Sequence, residues 1–500
     1  MCVFHHATSC NNRWPTQYDN DYVGRDITID VLPDEVLLGI FDFYVGEAQN
    51  VQAWQFLVHV SRRWRTIVFG SQHRLNLRLV CTPLTPVSDM LEVWPALPLV
   101  IRIRGRVYET HNLIALLGLS DRVCEINFEW LSISILGHIS TATHVPFPQL
   151  THLRLVGQSS PTRMRGFEVP DSFLSGAAPR LREMAIHSIP FPGLPKLLPS
   201  VACLVTLHLT DVPDSGYISP EAMVTGLSTL TSLEDLRLQF QSSRSIPDRQ
   251  GRRPPPLTPT VLPTLTRFEL KGDNEYLEDF VAQIDAPRLD TLKTNHFYRL
   301  DFDTSQLVRF INRVPMFTAP KEVHVVFFGL VVRLTLVPTT GDGRFYVETV
   351  IPNSHLERPL SCFPQICTSF SPIISTLESL YIYEHRDLPQ LQDREDDIEN
   401  RQWLDILRPF IAVNKLYLTH NFASRIAPAL QSLIGERVTE VLPSLQNIFV
   451  ELEVRQQLKS IPGRIQHFLA SRRLSGYPIA ISRWNEAMRR TIDGPPGFPM

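Results

Sequence analysis

The 500-residue chain has few cysteines, no excess of either charge and no long apolar run. Its seven cysteines (Cys2, Cys10, Cys81, Cys124, Cys203, Cys362, Cys367) are odd in number and widely scattered, which is not the pattern of a disulfide framework and fits a reducing compartment. Lysine plus arginine number 48 against 51 acidic residues, a net charge of -3. No field of one sign is present to gather nucleic acid or an anionic membrane, and neither is expected as a partner. The most apolar stretch, Val323 to Val332, is ten residues long and interrupted by His324, against the roughly 20 needed to cross a bilayer. No Asn-x-Ser/Thr acceptor occurs, and Met1 to Gly24 has no apolar signal core; an intracellular protein, cytoplasmic or nuclear, is expected.

Catalytic patterns are missing too. There is no His-Glu-x-x-His, phosphate-binding loop or nucleophile elbow, and Gly341-Asp342-Gly343 is a turn without the rest of a dinucleotide fingerprint. Cys2, His5, His6 and Cys10 are metal-ligand types without a second pair. The expectation is a chain with no catalytic residue, no metal and no cofactor; an enzyme using residues 329–371 would need clustered titratable groups that this segment does not show.

What is present is globular in class: 43% hydrophobic and 20% charged residues, over a length that calls for several domains or one solenoid. Forty prolines make up about 8% of the chain, against about 5% on average, and punctuate it at short intervals.

After a polar tail (residues 1–26), residues 27–76 read as short helices. Proline and two acids open the run Leu32-Pro33-Asp34-Glu35-Val36-Leu37-Leu38-Gly39-Ile40-Phe41, and Leu32, Val36, Leu37, Ile40, Phe41 and Tyr44 keep helical spacing. A second run from Trp54 to Phe69 places Leu57, Val60, Trp64 and Ile67 at three- and four-residue steps. So small a module cannot bury this apolar surface alone, so it needs a partner surface. Leu-Pro-x-Glu-Val-Leu-x-x-Ile-Phe followed by Val-Ser-Arg-Arg-Trp-Arg resembles an F-box. It departs from that family in the longer Asp42 to Ala53 connection and in Ser61, where cysteine is frequent. The resemblance implies docking to a Skp-type adaptor, and through it to a cullin, by Leu32, Pro33, Val36, Leu37, Ile40, Phe41, Val58, Val60 and Trp64.

Beyond a linker or cap at 77–110, the pattern apolar-x-x-apolar-x-apolar recurs from Val123/Ile126/Phe128 to Leu445/Ile448/Val450 at steps of 23 to 36 residues, with one gap of 57. This is the signature of a leucine-rich-repeat solenoid, here degenerate, over residues 111–455; residues 456–500 would form a C-terminal cap and tail. A continuous sandwich is the alternative. Pro-x-Leu precedes many of the strands, as in Pro148-Gln149-Leu150 and Pro179-Arg180-Leu181. Thr340 to Gly343 lies between two strand-like runs, a hairpin insertion expected at the sheet edge within about 329–371. Stretches such as Leu75 to Thr82 and Ser482-Arg483-Trp484 resemble the expanded F-box and leucine-rich-repeat families of mushroom-forming fungi, over about Ile27 to Trp484.

The expected fold is therefore α/β (α+β), a short all-α module followed by a repeat solenoid. Outward residues between strand leucines are the expected target-binding surface: Arg154, His208, Arg237, Arg267, and above all Tyr381, Tyr383 and Tyr417. These aromatics have a second reading, packing against Ile465 to Met488. The resemblance implies a non-catalytic substrate receptor of a Skp-cullin-F-box ubiquitin ligase whose target is unknown; a scaffold acting outside the ligase is the alternative. Arg252 to Pro259 has the composition of a polyproline ligand or an inter-repeat loop, Asp393 to Glu399 that of a solvated acidic run, and Cys362 and Cys367 that of core residues.

Overall fold

The computed structural model describes residues 29–47, 52–82, 87, 93–104, 110–158, 167–241, 258–297, 304–317, 320–328, 331–338, 344–350, 363–384, 400–451 and 463–484. The N-terminal tail, the polyproline residues 252–257, Cys362 and the acidic run 393–399 lie outside them. The chain divides into two compact units, Met1–Leu79 and Val80–Met500.

The first unit holds helices α1 (Asp34–Glu47), α2 (Ala53–Val58) and α3 (Arg62–Gly70). Pro33 stands just before α1, its carbonyl accepting the N–H groups of Val36 and Leu37, and Asp34 and Glu35 lie in the first turn, where the helix dipole favours negative charge. Ser61 is the N-cap of α3: its hydroxyl accepts the Trp64 N–H at 3.2 Å. Arg63 ties α3 to the start of α1, donating from Nε to Asp34 Oδ1 at 2.9 Å and from Nη2 to the Leu32 carbonyl at 2.6 Å. Trp64 packs on Phe41 with ring centroids 4.6 Å apart. Trp54 is buried and donates its indole N–H to the Arg78 carbonyl at 3.0 Å.

The second unit is built on strands β1 (Leu79–Cys81, beginning at the division), β2 (Leu99–Ile103), β3 (Val123–Leu131), β4 (His152–Gly157), β5 (Glu183–His187), β6 (Thr206–Val212), β7 (Asp235–Phe240), β8 (Thr260–Val261), β9 (Arg267–Gly272), β10 (Ile284–Asp285), β11 (Thr291–Phe297), β12 (Pro320–Phe328), β13 (Val331–Pro338), β14 (Arg344–Val350), β15 (Ser379–Glu384), β16 (Lys415–Leu418), β17 (Asn447–Glu451) and β18 (Ala480–Trp484). Sixteen form one sheet, β8 and β10 pairing separately. Successive repeat strands are parallel, with short helices between them, so the fold is a leucine-rich-repeat-like α/β arrangement. The sheet is wider than the 111–455 expected from the repeat count: β2 lies in the presumed linker and β18 in the presumed cap.

Two devices recur at strand entries. In Phe147-Pro-Gln-Leu150, Ala178-Pro-Arg-Leu181, Leu262-Pro-Thr-Leu265, Ala286-Pro-Arg-Leu289 and Leu442-Pro-Ser-Leu445 the leucine N–H bonds the carbonyl three residues back, at 3.0 to 3.4 Å. Proline thus holds position i+1 of a reverse turn whose first and fourth residues are both buried, rather than simply leading into extended chain. One carbonyl per repeat then accepts two consecutive N–H groups from the next: Thr151 from Arg182 and Glu183, Arg182 from Val205 and Thr206, Val205 from Glu234 and Asp235, Glu234 from Thr266 and Arg267. This ladder fixes the register between repeats whatever the length of the connection.

Register then stacks Ile126, Leu153, Met184, Leu207, Leu236, Phe268 and Leu292 in one buried row. Thr294 occupies a leucine position beside Leu270 and is fully buried. The insertion differs from the sequence expectation: β12, β13 and β14 form a meander inside the sheet, in the order β11-β14-β13-β12-β15, not at its edge. Strand β12 lands three positions beyond β11, and β13 and β14 fold back antiparallel to fill the two places between. An interior place satisfies both backbone edges of every inserted strand.

Candidate functional site

Side chains alternate along a strand, so the residues between the buried leucines share the sheet's other face. One cross-strand ladder on this face runs Arg102, Asn127, Arg154, Ala185, His208, Arg237, Glu269, Lys293. It continues through the meander to His324, Tyr381, Tyr417 and Phe449. Arg154, His208, Arg237, Tyr381 and Tyr417 thus come together on one row, as alternation predicts. Arg267 lies two residues off, level with Asp235, and Tyr383 two residues off at the other end.

The aromatic end is closed by the chain itself. His324, Tyr381, Tyr417 and Phe449 stack face to face at 4.3, 4.1 and 4.5 Å, with planes 5 to 8° apart. Trp484 of β18 lies against Tyr381 and Tyr417 at 6.0 and 5.8 Å. Tyr381 and Tyr383 are only 7% and 3% exposed, so the expectation that they lead target contact is corrected: they form an intramolecular cluster with Val326 and Trp484. Burial, with Glu322 and Tyr417 nearby, pushes the Tyr381 phenol above its usual range. Tyr417 remains half-buried.

The polar end is open and charged. Asp235, with a side chain 5% exposed, lies 3.1 Å from His208 Nε2, 3.4 Å from Arg237 Nε and 3.1 Å from Arg267 Nε. Burial alone would raise its carboxyl, but His208, Arg237 and Arg267 hold it below the usual carboxylate range. Glu269 accepts a hydrogen bond from Gln239 at 2.8 Å and pairs with Lys293 at 3.4 Å. Arg154 is exposed. Asp235 is also an outward position by alternation, but its role as the organiser of this cluster depends on cross-strand register, which brings His208 and Arg267 to it.

In the helical unit the nine expected docking residues fall into two groups. Leu37, Phe41 and Val58 are 0%, 0% and 1% exposed, which corrects their assignment as direct contacts, whereas Trp64 packs on Phe41 and is half-buried. Leu32 is half-buried, while Pro33, Val36, Ile40 and Val60 are exposed. At about 100° per residue Val36, Ile40 and Phe43 share a sector of about 60°, with Leu37 and Phe41 about 90° and about 130° from its centre. Phe43 and Phe56, 70% and 65% exposed, extend the outward apolar surface and were not anticipated.

No family model matches the chain, and no curated protein matches it. A solved structure to which it is similar is that of the leucine-rich repeat-containing protein LegL7 from Legionella pneumophila, at 12% identity over 81% of this chain and 99% of that one, with a TM-score of 0.26. Among the described residues no group of three or more His, Cys, Asp and Glu is placed to hold a metal ion, and no helix is long and apolar enough to cross a membrane.

Proposed function

We propose that this chain is a protein-binding receptor subunit of a Skp-cullin-F-box type ubiquitin ligase. Its N-terminal helices bind the adaptor and the open sheet face binds a target protein. The observation that carries the reading is the division of α1. Leu37 and Phe41 are consumed by the module's core, while Val36, Ile40 and Phe43, with Val60 and Phe56 near α2, remain exposed. Exposed apolar groups clustered on so small a unit favour a protein partner. The Leu-Pro and Arg-Arg-Trp sequence elements that resemble an F-box are also the ones Arg63 joins. In this role the chain supplies proximity rather than chemistry, raising the concentration of a bound target near the ubiquitin carrier.

The test is affinity purification of the intact protein beside Ile40→Asp and Val60→Asp, which alter exposed positions. Wild type should recover a Skp-type adaptor and cullin, and the variants should lose both while melting like wild type. Equal recovery with the variants, or no adaptor with wild type, ends the reading; adaptor without cullin favours a scaffold outside the ligase.

A further inference from the structure

We propose that the open face of β7, β9 and β11 docks an anionic stretch of extended polypeptide, whose carboxylate or phosphate groups bridge Arg267, Lys271 and Lys293. This rests only on the open sheet face being a protein-binding surface, not on the adaptor role of the helices.

The charge arrangement points outward. Arg237, Arg267, Lys271 and Lys293 face two carboxylates, Asp235 and Glu269, a surplus of two positive charges in a chain whose net charge is -3. The two signs also sit at different heights. Asp235 and Glu269 side chains are 5% and 16% exposed, while Arg237, Arg267 and Lys293 are 37%, 59% and 34% exposed. Carboxylates at the sheet surface thus hold cations that project beyond them. The same cations hold the Asp235 carboxyl below the usual range although burial works against it. At Arg102 and Glu125, by contrast, one cation meets one acid.

Geometry selects an extended peptide. Arg267 and Lys271 stand four positions apart on β9, about 13 Å at about 3.3 Å per residue, and Lys293 lies one strand over on β11, level with Glu269 between them, so the three cations span the reach of about four extended residues. The strands' backbone edges are already paired, so contact is through side chains. A single-stranded nucleic acid would need free ring faces for its bases, and the stack from His324 to Phe449 is internally occupied and covered by Trp484.

The test is fluorescence anisotropy with the full-length protein and labelled peptides of about twelve residues: one rich in Asp and Glu, one with phosphoserine at those positions, one with Asn and Gln. Binding of either anionic peptide is expected, weakening at least about tenfold between about 50 and 300 mM salt and again in Arg267→Glu/Lys271→Glu. Because Arg267 also pairs with Asp235, Lys271→Glu/Lys293→Glu is measured in parallel, each variant checked by thermal melting. Equal binding of the neutral peptide, or undiminished anionic binding in a folded charge-reversed variant, overturns the proposal. Ile40→Asp should leave peptide affinity unchanged, so failure here and failure of adaptor capture are read separately.

Discussion

Tyr381 stacks on Tyr417 with ring centroids 4.1 Å apart and planes 8° from parallel, because parallel register puts them side by side on β15 and β16. The contact joins residues whose strands belong to successive repeats, and Trp484 from beyond the expected end of the solenoid lies against it. Removing Trp484 tests that closure. Trp484→Ala should cost about 3 kcal/mol, the lower end for deleting a buried aromatic, and should expose Tyr381 to chemical modification. Unchanged tyrosine reactivity with an unchanged melting point would count against the cluster.

Glu278 acts across repeats in another way. Its buried carboxylate accepts the N–H groups of Gln306 at 2.7 Å and Leu307 at 3.0 Å, capping helix Ser305–Arg313 from the preceding helix. Glu278→Ala should destabilise by about 1 to 2 kcal/mol, and hydrogen exchange at Gln306 and Leu307 should accelerate more than at helices elsewhere. Exchange that stays uniform would refute the capping role.

Two glycines should respond oppositely to alanine. A Cβ on Gly216 would meet the Pro190 Cα at 2.7 Å, whereas one on Gly137, in helix Ile133–Ala142, meets nothing within 4 Å. Gly216→Ala should cost about 1 to 3 kcal/mol through overpacking, and Gly137→Ala should stabilise by about 0.5 to 1 kcal/mol through helix propensity. Denaturant midpoints decide; two shifts of the same sign would contradict the packing described.

The Asp235 cluster makes stability depend on acid. Its folded carboxyl lies below the ordinary value of 3.8, so it contributes stability that is fully present above that value and is lost as pH falls through the lower folded one. Asp235→Asn should therefore destabilise near neutrality and flatten the decline in melting temperature below about pH 4. Parallel curves for wild type and variant across that range would rule out the linkage.

Thiol chemistry should separate two cysteines. Burial pushes the Cys81 thiol up to about 11, while Cys203 is exposed. Alkylation near pH 8 followed by peptide mapping should label Cys203 at least about a hundredfold faster. Comparable rates would mean that the Cys81 region opens readily.

The fold was legible where local chemistry repeats. Leucines at alternate strand positions and Pro-x-Leu turns such as Pro179 to Leu181 mark the strands, because turn geometry and period-two burial are short-range. Thr294 breaks the leucine pattern in the sequence, and only its buried place beside Leu270 decides that the position is interior. The meander's place inside the sheet was hidden, since β12 could be positioned only by its pairing with β15, more than fifty residues away.

The candidate site divides along the same line. By itself the sequence determined which residues alternate outward, and so brought Arg154, His208 and Arg237 to one face, and it determined that the first helices carry more apolar surface than they can bury. Only the tertiary structure decided which groups stay outside. Leu37 and Ile40 are equally apolar, and packing around α1 buries one and leaves the other; Tyr381 and Tyr417 are equally aromatic and both lie against Trp484, yet the cluster buries the first and leaves the second half-buried. Hydrophobicity is a property of a residue, whereas burial depends on what the rest of the chain places beside it.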